Sequence, residues 1–181
     1  MLDKVYVETH RLILRQWKSS DEAPYIVLNQ DKEVMRYFPT THTMEESLLQ
    51  IKRLSKHIDD YGYGFFAVER KDNHEFMGFT GLSHPRFESY FTPCVEIGWR
   101  LSKQNWGQGF ATEAAMACLK LGFEEFDIPE IYSFTTVSNT PSARVMIKIG
   151  MIFQGYFEHP MLDDGDDLKT HILYKINKES V

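Results

Sequence analysis

The sequence predicts a mixed α/β (α+β) fold in a single domain of residues 1–181, a mostly antiparallel sheet with one crossover region. Three observations carry that prediction. Short runs with period-two alternation recur along the chain, separated by turn residues, as the strands of one sheet would be. Helical stretches with their own start and stop signals stand between them. After residue 95 the order becomes strand, helix, strand, helix, strand, and a turn containing Gly107 and Gly109 opens the first of those helices. With 181 residues, 14% of them aromatic and 25% charged, the chain can bury one core and is short for two ordinary domains.

Taken in order, "YVETHRLILRQW" alternates enough to be a first strand. In "SSDEAPYIVLNQ", Ser20 reads as an N-cap with acidic residues in the first helical turn. "THTMEESLLQIKRLSKHIDDYGYG" is the clearest helix before the glycine turn. Thr43 and Glu46 have capping-box spacing, Leu48, Ile51, Leu54 and Ile58 make an apolar stripe, and Gly62 or Gly64 ends it. "FFAVERK" and "FMGFTGLSH" flank the turn "DNHE" as an antiparallel hairpin. "CVEIGWRL" is a strand with Val95, Ile97, Trp99 and Leu101 on one face. "FATEAAMACLKLGFEEF" has the spacing of a long helix, and "EIYSFTTV" is the next strand. "TPSARVMIKIG" is a short helix with Pro141 near its start and Gly150 as C-cap. Two last strands, around "IFQGYFEH" and "THILYKI", enclose the acidic loop "LDDGDD".

The formal charge of −6 argues against a nucleic-acid binder, which needs a cationic surface to displace counterions. Only Cys94 and Cys118 are present, so no disulfide framework is implied and a reducing cytoplasm is the expected compartment. The N-terminus has no apolar signal region and no run reaches membrane-span length, so no membrane partner is expected. The histidines show no metal-ligand spacing, and no metal is expected.

"SKQNWGQGFATEAA" is the stretch that carries chemistry. Glycines let the backbone take positive φ and approach a ligand, and a following helix offers unpaired N–H groups and the positive end of its dipole. That combination suits phosphate. A P-loop would need a Gly-Lys-Ser/Thr ending, but Gly109 leads to Phe110. A dinucleotide turn would need a third glycine where Thr112 stands, and an acidic residue at the end of the next strand, whereas Asp127 precedes it. What remains is Q-x-x-G-x-G, formed by Gln104, Gly107 and Gly109 between a strand and a helix.

With that turn, "ETHRLILRQW", "GFFAVERKDNHEFMGFTGL", "VEIGWRLSKQNWGQGFATEA" and "NTPSARVMIKIGM" stand in the order seen in the GNAT superfamily of acyl-CoA-dependent N-acetyltransferases. Over nearly its whole length the chain resembles the branch that includes the ribosomal-protein N-terminal (alanine/serine) acetyltransferases. The resemblance implies helices on both faces of the sheet and a splayed parallel strand pair at the cofactor site. It implies acetyl-CoA as co-substrate, its pyrophosphate held by N–H groups from Gln104 through Gly107, Gln108, Gly109 and Ala111 to the Thr112 hydroxyl. Trp99 and Leu101 would pair with the pantetheine amides, an N–H near Leu101 would face the oxyanion, and Asn139 would hold the pantetheine arm. Asn139 is also suited to cap the helix that opens at Pro141.

Direct transfer needs a neutral amine and a base for its proton. Glu96, in "VEIGW", is the candidate base, with an ion-paired strand carboxylate as its alternative reading. Many members of the superfamily carry a tyrosine seven residues after the asparagine. Here that position is Met146, and Ser142 becomes the candidate acid or thiolate partner, or else a first-turn helix serine. A lysine near 10.4 is costly to deprotonate at pH 7, roughly 4–5 kcal/mol, whereas an α-amine near 7.7–8.0 costs about 1 kcal/mol. The acceptor expected is therefore a protein N-terminus, with a small-molecule amine (polyamine or antibiotic) or a non-catalytic acyl-CoA sensor as alternatives, in a monomer or homodimer. Glu158, His159 and His171 bracket the acidic loop and are the candidate acceptor-binding residues, with His159 a second candidate base.

Overall fold

Alternation along the chain becomes eight strands and the helical stretches become four helices, in a computed structural model that describes residues 4–180. In chain order these are β1 (Val5–Glu8), β2 (Leu12–Arg15), α1 (Glu22–Gln30), α2 (Met44–Tyr61), β3 (Phe65–Arg70) and β4 (Phe76–Ser83). There follow β5 (Glu96–Leu101), α3 (Phe110–Glu124), β6 (Glu130–Thr136), α4 (Thr140–Lys148), β7 (Ile152–Glu158) and β8 (Thr170–Asn177). The strands form one sheet in the order β1-β2-β3-β4-β5-β6-β8-β7. Every neighbouring pair is antiparallel except β5–β6, which are parallel and in register only where Glu96 faces Tyr132. Beyond that point the two strands splay.

Side-chain parity assigns the layers. Ile97 pairs with Leu82, so these two share a face with Thr80 and Trp99. Leu82 and Ile131 press on Gly122 of α3, where a Cβ would meet Leu82 at 2.8 Å. The opposite face carries Glu96, Gly98, Arg100, Phe79 and Phe65, and it is covered by α1 and α2: Tyr25 meets Phe79 edge-on at 6.2 Å and Asn29 bonds Arg100. The mixed sheet with helices on both faces and a splayed parallel pair is thus the predicted fold.

Helix α2 is capped as its sequence predicts. Thr43 Oγ1 accepts the Glu46 N–H, the Glu46 carboxylate accepts the Thr43 N–H, and Gly62 stops the helix at φ +78°. Helix α4 ends in a Schellman motif, with the Met151 N–H on Met146 O and the Gly150 N–H on Ile147 O. Gly150 (φ +86°) is therefore the left-handed residue just past the cap, and Ile149 is the cap itself.

Two expectations are corrected. The first run, "YVETHRLILRQW", is a hairpin of two strands rather than one, because Thr9 turns the chain: its Oγ1 accepts the Leu12 N–H at 2.9 Å. Ser20 caps nothing. It sits in a 3-10 turn, Ser19–Asp21, and α1 begins one residue after Asp21. The reason is that the Asp21 carboxylate turns inward to Arg15, at 2.7 and 2.9 Å, and accepts the Lys18 N–H.

That inward turn completes a buried network in which Arg15 also bonds Glu69 at 2.6 Å. Burial alone would raise the Glu69 carboxyl, but hydrogen bonds from His74 and Arg15 outweigh it and hold it at about 2. Replacing Glu69 with Gln leaves the Arg15 charge short of a partner, so stability at pH 7 should fall by about 3–5 kcal/mol in urea titrations. Because the carboxyl ionises more readily folded than unfolded, the wild-type advantage is full above about pH 4.5 and is lost as pH falls toward 2. A loss that is the same at pH 3 and pH 7 would show that the charge contributes nothing.

Candidate active site

After Leu101 the chain makes a short 3-10 turn, Lys103–Asn105, and reaches Gly107 and Gly109, both left-handed at φ +72° and +81°. No residue but glycine takes that conformation readily. Gly109 is the N-cap of α3 and has no side chain to cover the helix end. The first backbone N–H of α3 to find an acceptor is that of Glu113, on Gly109 O. The N–H groups of residues 107 to 112 have no acceptor among the described residues, and the space a Gly107 Cβ would occupy is open. This is an anion cradle by geometry.

The cradle is braced from the β1–β2 turn. Glu113 accepts from the Thr9 hydroxyl, the Arg11 N–H and Arg11 Nε, at 2.5, 2.9 and 2.6 Å. Arg11 Nη1 then donates to Gln108 O at 3.0 Å, and its guanidinium lies 4.2 Å from the Phe110 ring centre.

From the cradle a cleft of about 880 Å³ runs through the splay between β5 and β6. Parity also fixes the backbone here. The Tyr132 N–H bonds Val95 O and the Ser102 N–H bonds Met77 O, so odd-numbered residues of β5 point toward β6. Ser133 Oγ takes Ile97 O, and Trp106 Nε1 takes Leu101 O. The N–H and C=O of Trp99 and the N–H of Leu101 remain directed into the gap, a short open sheet edge inside the molecule.

Of the residues singled out in the sequence, Glu96, Trp99, Leu101, Gly107, Gly109, Ala111, Thr112, Asn139, Ser142, His159 and His171 all line this cleft. Gln104, Gln108 and Glu158 do not. The Gln104 amide reaches Glu75 at 2.6 Å, the Gln108 amide bonds Gln104 O, and the exposed Glu158 accepts from Thr170. In the acidic loop, Asp164 pairs with Lys169, and Asp166 accepts the Leu168 N–H.

Glu96 is half-buried, on the α1/α2 side, and no hydrogen bond or ion pair engages its carboxyl among the described residues. Loss of solvation raises it to about 7. Asn139 caps α4 through Oδ1 to the Ser142 N–H at 3.3 Å and donates to Thr135 at 2.8 Å. The Ser142 hydroxyl has no partner among the described residues, and Met146 is fully buried below it. His159 is lowered to about 4 by burial and by neighbouring His171, 4.9 Å away between ring centres. Its Nδ1 accepts the Met161 N–H, so the neutral ring carries its proton on Nε2 and offers a donor. That makes it a poor base at neutral pH.

Four cations in the lining were not anticipated: Arg36, Arg100, Arg144 and Lys148. Arg144 and Lys148 are four apart on α4, so they share one helix face, a spacing visible in "SARVMIK". No group of histidine, cysteine and carboxylate residues fit to hold a metal ion, and no helix able to cross a membrane, occurs among the described residues.

An anion cradle at the start of α3 thus lies beside a splayed parallel pair with an unpaired carboxyl at its fork. The acetyltransferase (GNAT) domain family matches residues 11–152, and the chain belongs to that family. It is 30% identical over 176 residues to the uncharacterised N-acetyltransferase YnaD of Bacillus subtilis, covering 97% of this chain and 98% of that protein. The crystal structure of a GNAT-family acetyltransferase from Bacillus anthracis superposes with a TM-score of 0.80 at 28% identity, covering 96% and 98% of the two chains. Two others share the fold. One is a ribosomal-protein-S5-alanine acetyltransferase from Vibrio fischeri (TM-score 0.74, 22% identity, 97% and 98% coverage). The second is a spermidine N-acetyltransferase from Vibrio cholerae in complex with CoA and spermine (TM-score 0.75, 20% identity, 95% and 98% coverage).

Proposed function

We propose that this acetyltransferase moves the acetyl group of acetyl-CoA to the α-amine of a protein N-terminus by direct attack on the thioester. The observation that carries the reading is Glu96, an unpaired carboxyl at about 7 facing the cleft at the strand fork. A base at that value is nearly matched to an α-amine at 7.7–8.0, so the proton transfer costs about 1 kcal/mol. From a lysine near 10.4 the same transfer would cost roughly 4–5 kcal/mol.

The residues present fit the donor. The unpaired N–H groups of residues 107–112 would bind the pyrophosphate without a metal, and Arg144 and Lys148 add positive charge along the same cleft. Glu96 would first take a proton from the ammonium, and the neutral amine nitrogen would then bond the carbonyl carbon, its second proton leaving toward the departing thiolate. The Leu101 N–H would meet the oxygen as it gains charge, leaving the Trp99 N–H and C=O to the pantetheine amides. As the C–S bond breaks, the Ser142 hydroxyl would face the departing sulfur. Met146 cannot donate a proton, so that step relies on Ser142 or water.

With Arg144 and Lys148 set against the cofactor phosphates, the other charges of the lining are Arg36 and Arg100 against Glu33 and Glu96, so the preference for an α-amine rests on its match to Glu96 and not on the charge of the lining. The test follows thiol release from acetyl-CoA with N-terminal peptides, Nα-blocked lysine peptides and spermidine. Turnover should favour the free N-termini by at least about tenfold in kcat/KM, from the amine costs above. Turnover restricted to spermidine would reverse the acceptor assignment. Tight cofactor binding with no turnover of any amine would make the protein a sensor.

A further inference from the structure

Arg100, on the same face of β5 as Glu96, is only 8% exposed. Its Nη1 donates to Asn29 Oδ1 at 2.7 Å, and its guanidinium carbon lies 4.2 and 5.3 Å from the ring centres of Phe38 and Phe79. No carboxylate pairs with it among the described residues, although arginine is rarely buried unpaired. The two rings answer the faces of the guanidinium, but its hydrogens lie in the plane and need acceptors at the edge. Nε is sealed off without one.

The surrounding groups have little to give. Gln50 Oε1 already accepts from the Tyr25 hydroxyl at 2.8 Å and from Asn29 at 3.4 Å, and Asn29 also donates to Ser47. His42 Nδ1, in the same cluster beside Gln50 and Arg100, is a second buried atom without a partner. Arg100, Gln50 and Phe38 all line the cleft. Arg100 lies on the α1/α2 face, across the sheet from α3 and its cradle, so an anion reaching it would arrive with the acceptor.

We propose that Arg100 determines acceptor specificity by pairing with a carboxylate of the acceptor, separate from the reacting amine. This rests on the acetyl-transfer reading above. Glu96 and Arg100 are four positions apart on one strand, about 13 Å along its axis. A free amino acid, whose amine and carboxylate share one carbon, cannot span that. An extended peptide advances about 3.3–3.6 Å per residue and an acidic side chain reaches about 3–4 Å beyond its Cα, so the carboxylate belongs to an aspartate or glutamate at the third or fourth position of the chain being acetylated.

Thiol release with C-terminally amidated hexapeptides tests this, one glutamate being moved through positions 2 to 5 and each peptide matched by its glutamine twin. Glutamate at position 3 or 4 should lower KM by about tenfold with little change in kcat, the scale of one charge-assisted pair. Arg100→Gln should bring the twins to within about twofold while leaving acetyl-CoA affinity unchanged, and Arg100→Lys should restore part of the preference. Indistinguishable twins with the wild-type enzyme overturn the inference while leaving acetyl transfer intact. So does an Arg100→Gln enzyme that keeps the preference, or that loses acetyl-CoA affinity instead. Thiol release from none of the peptides overturns the protein N-terminus as acceptor and this inference with it.

Discussion

Glu96→Gln should lower kcat at pH 7 by about 10²–10³-fold, the usual contribution of a general base, with little change in acetyl-CoA affinity. Wild-type kcat/KM should rise through a limb near pH 7, where the Glu96 carboxyl ionises, and that limb should vanish in the variant. Stability offers an independent readout with a definite sign. Burial makes this carboxyl harder to ionise folded than unfolded, so its protonated form is the one the fold prefers. Wild-type stability therefore declines as pH rises from about 4.5 to about 7, by about 3 kcal/mol once both states are ionised. Glutamine carries no such charge. The variant should match the wild type near pH 4 and exceed it at pH 8, a gain in stability paired with a loss of rate. An unchanged pH–rate profile would take Glu96 out of the mechanism, whatever its effect on folding.

Glu96 was legible in the sequence as a residue and illegible as an environment. The alternation in "CVEIGWRL" marks one apolar face of β5. It does not reveal that the other face is also covered, by α1, α2 and the segment carrying Phe38, so that both Glu96 and Arg100 lose solvent. That loss of solvent comes from tertiary cover, which single-strand periodicity cannot register. The capping box of α2 and the glycine turn before α3 were readable because their physics is local: a side chain bonding three residues away, and two residues forced to positive φ. The β1–β2 turn failed for the converse reason. It contains no Gly, Pro or Asn, and the chain reverses because Thr9 supplies a hydroxyl to its own backbone while Glu113, 104 residues away, holds that hydroxyl. The carboxylates of the acidic loop lie outside the cleft lining, whose charges come from other segments, and no local signal in the sequence tells the two apart.

Gly109→Val should weaken acetyl-CoA binding by at least about 100-fold, measured by calorimetry, because several charge-assisted hydrogen bonds are lost together. At φ +81° a β-branched residue is strongly disfavoured, and returning the position to negative φ re-aims the N–H groups around it. The same rotation disturbs Gln108 O, where Arg11 clamps the turn, whereas the ideal Cβ itself meets only ordinary contact, 3.5 Å from Arg11 Nη2, so the effect comes from the backbone and not from a clash. Strain alone could lower stability by about 1–3 kcal/mol and so weaken binding indirectly. Gly165→Val separates the two effects. Gly165 also has positive φ, +90°, with no atom within 4 Å of its ideal Cβ, and it lies in the acidic loop outside the cleft lining. It should share the strain and keep the affinity. If both variants bind acetyl-CoA like the wild type, the 107–112 turn does not hold the pyrophosphate. The positive charge of Arg144 and Lys148 would then have to do so alone, and alanine at both positions, near-silent with an intact cradle, would become the decisive substitution.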